Sequence, residues 1–126
     1  LSAHRDTLEG RLSANTKTVE AYLDGFRRTD RQLILSCLTD DVEWLIPGAF
    51  HVHGIGQCAE HIVDEGFAGN PEISVSRMLE ADDVVIVEGS VRAPREDGSA
   101  LDLAFCDMFD MRGGRIRRLV SYLMPK

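Results

Sequence analysis

Asp107 is the residue whose position most needs explaining. Leu101, Leu103, Phe105, Asp107, Phe109 and Met111 recur at every second position, so a strand would set one carboxyl in an otherwise apolar face. A carboxylate there is destabilising unless hydrogen-bonded, and apolar neighbours raise its pKa. That makes it a general acid or a neutral donor held ready for an oxyanion. The pattern also allows the opposite arrangement, in which Ala104, Cys106 and Met108 face the core and Asp107 faces water or a subunit partner. Glu88 raises the same question: it follows Val84 and Ile86 on one strand face, and it is either a pocket acid or the partner of Arg92 or Arg118. Tyr22 falls on the apolar side of a helical pattern, as a core anchor or as a hydroxyl donor to a cavity. Trp44 offers area to a core or to an apolar ligand.

The stretch "EWLIPGAFHVHG", residues 43–54, carries two histidines one residue apart. An imidazole suits proton transfer near neutrality, so His53, before Gly54, is a candidate acid or base at a cavity mouth; the competing role is a loop histidine that shapes the turn. His51 is the weaker candidate. His51 and His53 offer two metal-binding nitrogens, with Glu43, Asp107 or Cys58 as further donors, but no short motif commits three ligands to one site, so no metal is expected. The glycines of "GAFHVHGIG" lack the spacing and lysine of a phosphate loop, and no nucleotide or other cofactor is expected.

These residues need elements to position them. Asn15 or Thr16 can cap a helix with Val19, Tyr22, Leu23 and Phe26 on one face, and Asp30 can cap a second, "RQLILSCL", ended by "TDD". Val42, Trp44 and Ile46 alternate in a short strand that Pro47-Gly48 stops. "QCAEHIVDEGF", residues 57–67, reads as a third helix with Ala59, Ile62, Val63 and Phe67 apolar, and His61 on its surface beside Glu60 and Asp64. Four strands follow, over 73–80, 84–91, 101–111 and 115–123, joined by the turns "ADD", "PREDGS" and "RGG". Helices in front of an antiparallel meander make an α+β domain.

The chain of 126 residues fits one domain, residues 15–126, preceded by an arm over 1–14 that is flexible or partly helical. A formal charge of -7 weighs against nucleic acid and anionic membrane surfaces. Cys37, Cys58 and Cys106 form no CxxC pair, and no run reaches signal-peptide or membrane-span length, which together point to a cytoplasmic protein with free thiols.

The order helix, helix, "TDDVEWLIPG", "HG" before a third helix, "DMFDMRGGRI" and a final "SYL" resembles the SnoaL-like and ketosteroid-isomerase-like branch of the NTF2-like superfamily, from about Thr16 onward. The resemblance implies a cone-shaped, curved antiparallel sheet wrapped around N-terminal helices, a deep apolar cavity, and often a homodimer. In the isomerases a first-helix tyrosine and a protonated late-strand aspartate form the oxyanion hole, matching Tyr22 and Asp107, while the base precedes a proline. Here that position is Ile46, which can neither give nor take a proton. SnoaL-like cyclases are similar in using a histidine with an aspartate, but their histidine lies on a later strand, and this chain has none beyond His61. The resemblance thus implies an enzyme for an apolar, cyclic small molecule, working by acid-base isomerisation, cyclisation or dehydration. Asp107, Tyr22 and His53 would be catalytic, and Trp44, Ile46, Phe105, Phe109 and Glu88 would line the cavity. Two other expectations stand beside it: a non-catalytic hydrophobic-ligand binder or dimeric scaffold, and an epoxide-hydrolase-like enzyme drawing on Asp107, Glu88, Arg92 or Arg118.

Overall fold

The computed structural model describes residues 13–62 and 69–126; the expected arm lies outside them except for its last two positions. Helix α1, Ala14–Arg27, buries Val19, Tyr22 and Leu23, as its periodicity requires. Its cap is Ser13, whose Oγ accepts from Thr16 N at 3.0 Å, not Asn15 or Thr16. Asn15 is used elsewhere: it and Ser13 donate to the two carboxylate oxygens of Glu80, at 3.2 and 2.6 Å, and so latch the helix start to a distant strand. Asp30 caps α2, Arg31–Ser36, by accepting from Leu33 N at 3.1 Å. Gly25 lets the two helices meet, because a Cβ there would stand 2.6 Å from Ile34 Cγ1.

Strand β1, Leu38–Ile46, starts earlier than the alternation suggests and includes "TDD". Those polar residues are tolerated because the register against the neighbouring strand shifts between Leu38 and Glu43, leaving Asp40 and Asp41 in solvent. Pro47-Gly48 stops the strand at Ile46, as expected, and also reverses the chain. Gly48 takes φ 84°, Ala49 N donates to Ile46 O at 2.9 Å, and the chain returns as β2, Phe50–His53. Helix α3 runs only Ile55–Glu60, with Gly56 inside it, and His61 caps its end; of the expected longer helix, residues 63–68 lie outside the described ones.

The four later strands are β3 (Glu72–Ala81), β4 (Val84–Pro94), β5 (Ala100–Arg112) and β6 (Arg115–Pro125). Consecutive positive φ angles at Gly113 and Gly114 make the tight last turn. The six strands form one curved, unclosed sheet in the order β2-β1-β6-β5-β4-β3. All neighbours are antiparallel except β1 and β6, which pair in parallel, so the α+β cone is built on a mixed sheet.

One sheet face packs on the helices. There Phe109 on β5 meets the ring of Tyr22 edge-on at 5.4 Å, and Tyr22 in turn meets Phe26 at 5.0 Å. The opposite face carries an unusual apolar row. Leu79 pairs with Ile86, Ile86 with Met108, Met108 with Val120, and Val120 with Leu45, so the row crosses five strands. Leu79, Met108, Tyr122 and Met124 on this face are exposed. No described helix is long and apolar enough to cross a membrane.

Candidate functional site

A cavity of about 180 Å³ opens between α1 and the inner sheet face. Its deep end is formed by Tyr22 from α1, Trp44 from β1, Asp107 from β5 and Ser121 from β6, all buried. Leu23 and Phe105 make its walls. Phe26, Ile73, Val91 and Leu123, which are half-buried or exposed, form the mouth. The gradient runs from apolar rim to polar floor, the usual arrangement of a small-molecule site.

The period-two stripe of β5 does point inward, and Asp107 sits in it at 7% exposure. Opposite it on β6, Ser121 Oγ donates to Asp107 Oδ1 at 2.5 Å. Burial pushes the Asp107 carboxyl up to about 7, with the Ser121 hydrogen bond acting in the lowering direction. Desolvation wins because one neutral hydroxyl cannot replace the water that a carboxylate loses. Tyr22 is also buried, and desolvation, with the Asp107 charge beside it, pushes its pKa well above the ordinary value, so its hydroxyl stays a donor. Trp44 Nε1 is fully enclosed and has no hydrogen-bond partner among the described residues.

No described thiol or histidine lines this cavity, although Cys58 packs behind its floor beside Tyr22 and Trp44. Burial pushes Cys58 up to about 11 and raises Cys37, so neither is a ready thiolate. His53 does not line the cavity. The turn at Pro47-Gly48 makes its segment a strand, and alternation then directs Phe50 and Val52 inward and both histidines outward. There His51 Nε2 lies 2.5 Å from Glu43 Oε2, and the two imidazoles sit 4.6 Å apart. The His51 hydrogen bond, with Arg118 alongside, holds the Glu43 carboxyl below its usual range.

Three other expected wall residues are also elsewhere. Glu88 is exposed on the outer face and pairs with Arg77 at 3.2 Å, rather than with Arg92 or Arg118. Phe109 shares the stripe of Asp107 but is sealed at 0% exposure beneath α1, packed on Tyr22 instead of lining open space. Ile46, at the end of β1, packs half-buried against the core and is absent from the cavity wall.

Ser121 is the polar residue that the sequence reading missed. Its signal is the one that revealed Asp107, since Leu119, Ser121 and Leu123 alternate as a stripe with one polar member. A serine is so small and so common on strands that only the pairing with Asp107 gives it meaning.

The sequence profile described as the SnoaL-like domain matches residues 19–119. No curated protein matches the sequence. Among solved structures, an NTF2-like protein from Anabaena variabilis is similar at TM-score 0.80 and 22% identity, over 94% of this chain and 96% of its own. An LEH-like epoxide hydrolase of M. tuberculosis is similar at TM-score 0.78 and 18% identity, over 88% and 83%. TerC co-crystallised with polyporic acid is similar at TM-score 0.76 and 24% identity, over 90% and 92%. At these identities the likeness is one of fold.

Proposed function

The chain belongs to the SnoaL-like domain family, and from that premise we propose that it is a small-molecule enzyme acting on an apolar cyclic carbonyl compound by acid-base chemistry. The carrying observation is a single carboxyl, raised to about 7, on the floor of an apolar cavity that it shares with the Tyr22 hydroxyl. A carboxyl raised towards neutrality is available in both protonation states there, so it can both take and return a proton. Ionised Asp107 takes the proton from a carbon beside the substrate carbonyl. Tyr22 donates to the oxygen as negative charge develops there, and the same carboxyl then returns the proton to another carbon of the conjugated system. This isomerisation needs no base before Pro47, and none from His53.

The size of the cavity supports a compact substrate. An apolar cavity of about 150 Å³ takes up benzene, so about 180 Å³ suits one ring, with further substituents passing out between Ile73, Val91 and Leu123. That TerC was co-crystallised with polyporic acid is consistent with a small organic ligand on this fold. The epoxide-hydrolase alternative draws less support. The described cavity wall holds one carboxyl and no arginine, while Arg92, Arg118 and Glu88 belong to the outward positions of their strands.

The test is deuterium incorporation next to the carbonyl of single-ring ketones and enones in heavy water, followed by proton NMR. Asp107→Asn is expected to slow exchange by about 10²- to 10⁴-fold, Tyr22→Phe to slow it severalfold or more, and His53→Ala to leave it unchanged. Loss of exchange in His53→Ala, or full activity in Asp107→Asn, would overturn the assignment. Trp44 is the single tryptophan, so its fluorescence reports occupancy independently; saturable quenching without exchange in any ketone would point to a binding protein rather than an enzyme.

The apolar row on the outer sheet face supports a homodimer as the working form. Sedimentation is expected to give a dimer at micromolar protein, and Met108→Glu, which puts a charge in the middle of the row, to give a folded monomer. A wild-type monomer at that concentration would end the dimer reading.

A further inference from the structure

The face of the sheet opposite the cavity carries a second cluster with its own chemistry. In the hairpin of β1 and β2, Glu43 stands directly across from His53 and Leu45 across from His51. Alternation therefore brings the side chains of Glu43, His51 and His53 out on one side while Trp44 and Val52 go to the other. One ligand atom from each of the three lies within 4.8 Å of the other two, and among the described residues no other trio of such side chains does so. The sequence offered two nitrogens and no committed third donor, and the hairpin turn supplies it.

We propose that Glu43, His51 and His53 bind one first-row transition-metal ion of the zinc class, which clamps the edge strand β2 to β1 and keeps a further coordination position for water or an anion. Bonds of 2.0–2.2 Å in tetrahedral geometry set neighbouring ligand atoms about 3.3 Å apart. Small side-chain rotations bring the three donors there, and the 2.5 Å contact between His51 and Glu43 opens as the ion enters between them. Two imidazoles and one carboxylate suit zinc, cobalt or nickel, whereas calcium and magnesium demand more oxygens.

The surroundings fit a held site. Arg118 Nε lies 3.3 Å from Glu43 Oε1, which leaves Oε2 for the ion while the guanidinium orients the carboxylate from behind. Asp110 lies 3.8 Å from Arg118 Nη1 and offsets part of its positive charge. The strand end is fixed too: His53 N donates to Gln57 Oε1 at 2.9 Å and Gly54 N to Val42 O at 2.7 Å.

Calorimetric titration of the metal-stripped full chain with zinc or cobalt chloride is expected to show one ion per chain and a rise of several degrees in thermal midpoint. The cobalt complex should show visible ligand-field bands without thiolate charge transfer, which sets it apart from binding at Cys106. His51→Ala, His53→Ala and Glu43→Gln should each weaken binding at least tenfold, and as surface changes they should keep the native circular dichroism spectrum. His61→Ala and Asp107→Asn should bind as the wild type does, so this outcome is independent of the cavity. Equal affinity in wild type and His53→Ala, a thiolate band, or an equal response to magnesium would overturn the proposal.

Discussion

Replacing Asp107 with Asn is expected to stabilise the protein at pH 8 by on the order of 4 kcal/mol, and to leave it nearly unchanged at pH 4. The direction follows from the carboxyl being raised to about 7 in the folded chain, against an ordinary value of 3.8. Well below 3.8 the side chain is neutral whether the chain is folded or not, and near pH 4 the penalty of its native environment has only begun to appear. As pH rises from there, the unfolded chain releases the proton while the native chain holds it, so stability falls until the native carboxyl ionises near 7, and it stays low above that. Asparagine never ionises, and its carbonyl oxygen can still accept the Ser121 hydroxyl that Asp107 accepts at 2.5 Å. The shift corresponds to roughly 10 °C or more in thermal midpoint for a chain of this size. Asp41, Glu43 and Asp97 have lowered pKa values and lose stabilisation on acidification, but they do so in both proteins and cancel in the difference. Thermal unfolding of the pair from pH 4 to 8 is the measurement; a difference that does not change with pH would mean that Asp107 is not a buried neutral acid. A gain in stability with loss of exchange would show a carboxyl kept in an unfavourable place for its chemistry.

The legibility of this site in the sequence follows the range of the interactions involved. Asp107 and Tyr22 could be picked out because strand alternation and helical periodicity are local, and each breaks or occupies an apolar stripe that a reader can count. The positions of Glu88 and His53 depended on turns. The two-residue connection that pairs Ala81 with Val84 already aligns Arg77 with Glu88, so that ion pair was readable once the turn length was fixed. At Pro47-Gly48 a reversal and a stop look alike in sequence, and the reversal decides that the histidines join Glu43 outside instead of compensating for Ile46 inside. The parallel contact of β1 with β6 joins residues 75 to 78 positions apart, and no local pattern specifies it. That contact nonetheless brings Trp44 to the cavity floor. The family resemblance supplied the cone, but it could not supply the side chains, because a fold shared at this distance does not fix the chemistry of a site.

Gly89→Ala is expected to destabilise the fold by about 3 kcal/mol or more and to weaken ligand uptake in the survivors. Gly89 is buried in the middle of β4, between Val75 on β3 and Phe105 on β5. A Cβ at this position would stand 2.2 Å from the carbonyl oxygen of Ser74 and 2.9 Å from Phe105 Cζ. The ring could turn away, but the carbonyl belongs to the backbone of a paired strand, so β3 itself must separate from β4. The register between these strands already shifts between Val75 and Arg77, which places the close approach at the irregular point where the sheet bends. Phe105 is a cavity wall, so the same methyl group that strains the sheet also presses on a ring that lines the cavity. Gly56→Ala is the matched control. Nothing lies within 4 Å of the added carbon in α3, and removing a helical glycine should raise stability by a few tenths to about 1 kcal/mol. Chemical denaturation of the two variants, with Trp44 fluorescence as the reporter, should therefore move the midpoint in opposite directions. If Gly89→Ala unfolds at the wild-type midpoint, the close approach of β3 to β4 is not a feature of the protein in solution, and the cavity wall that depends on it would have to be redrawn.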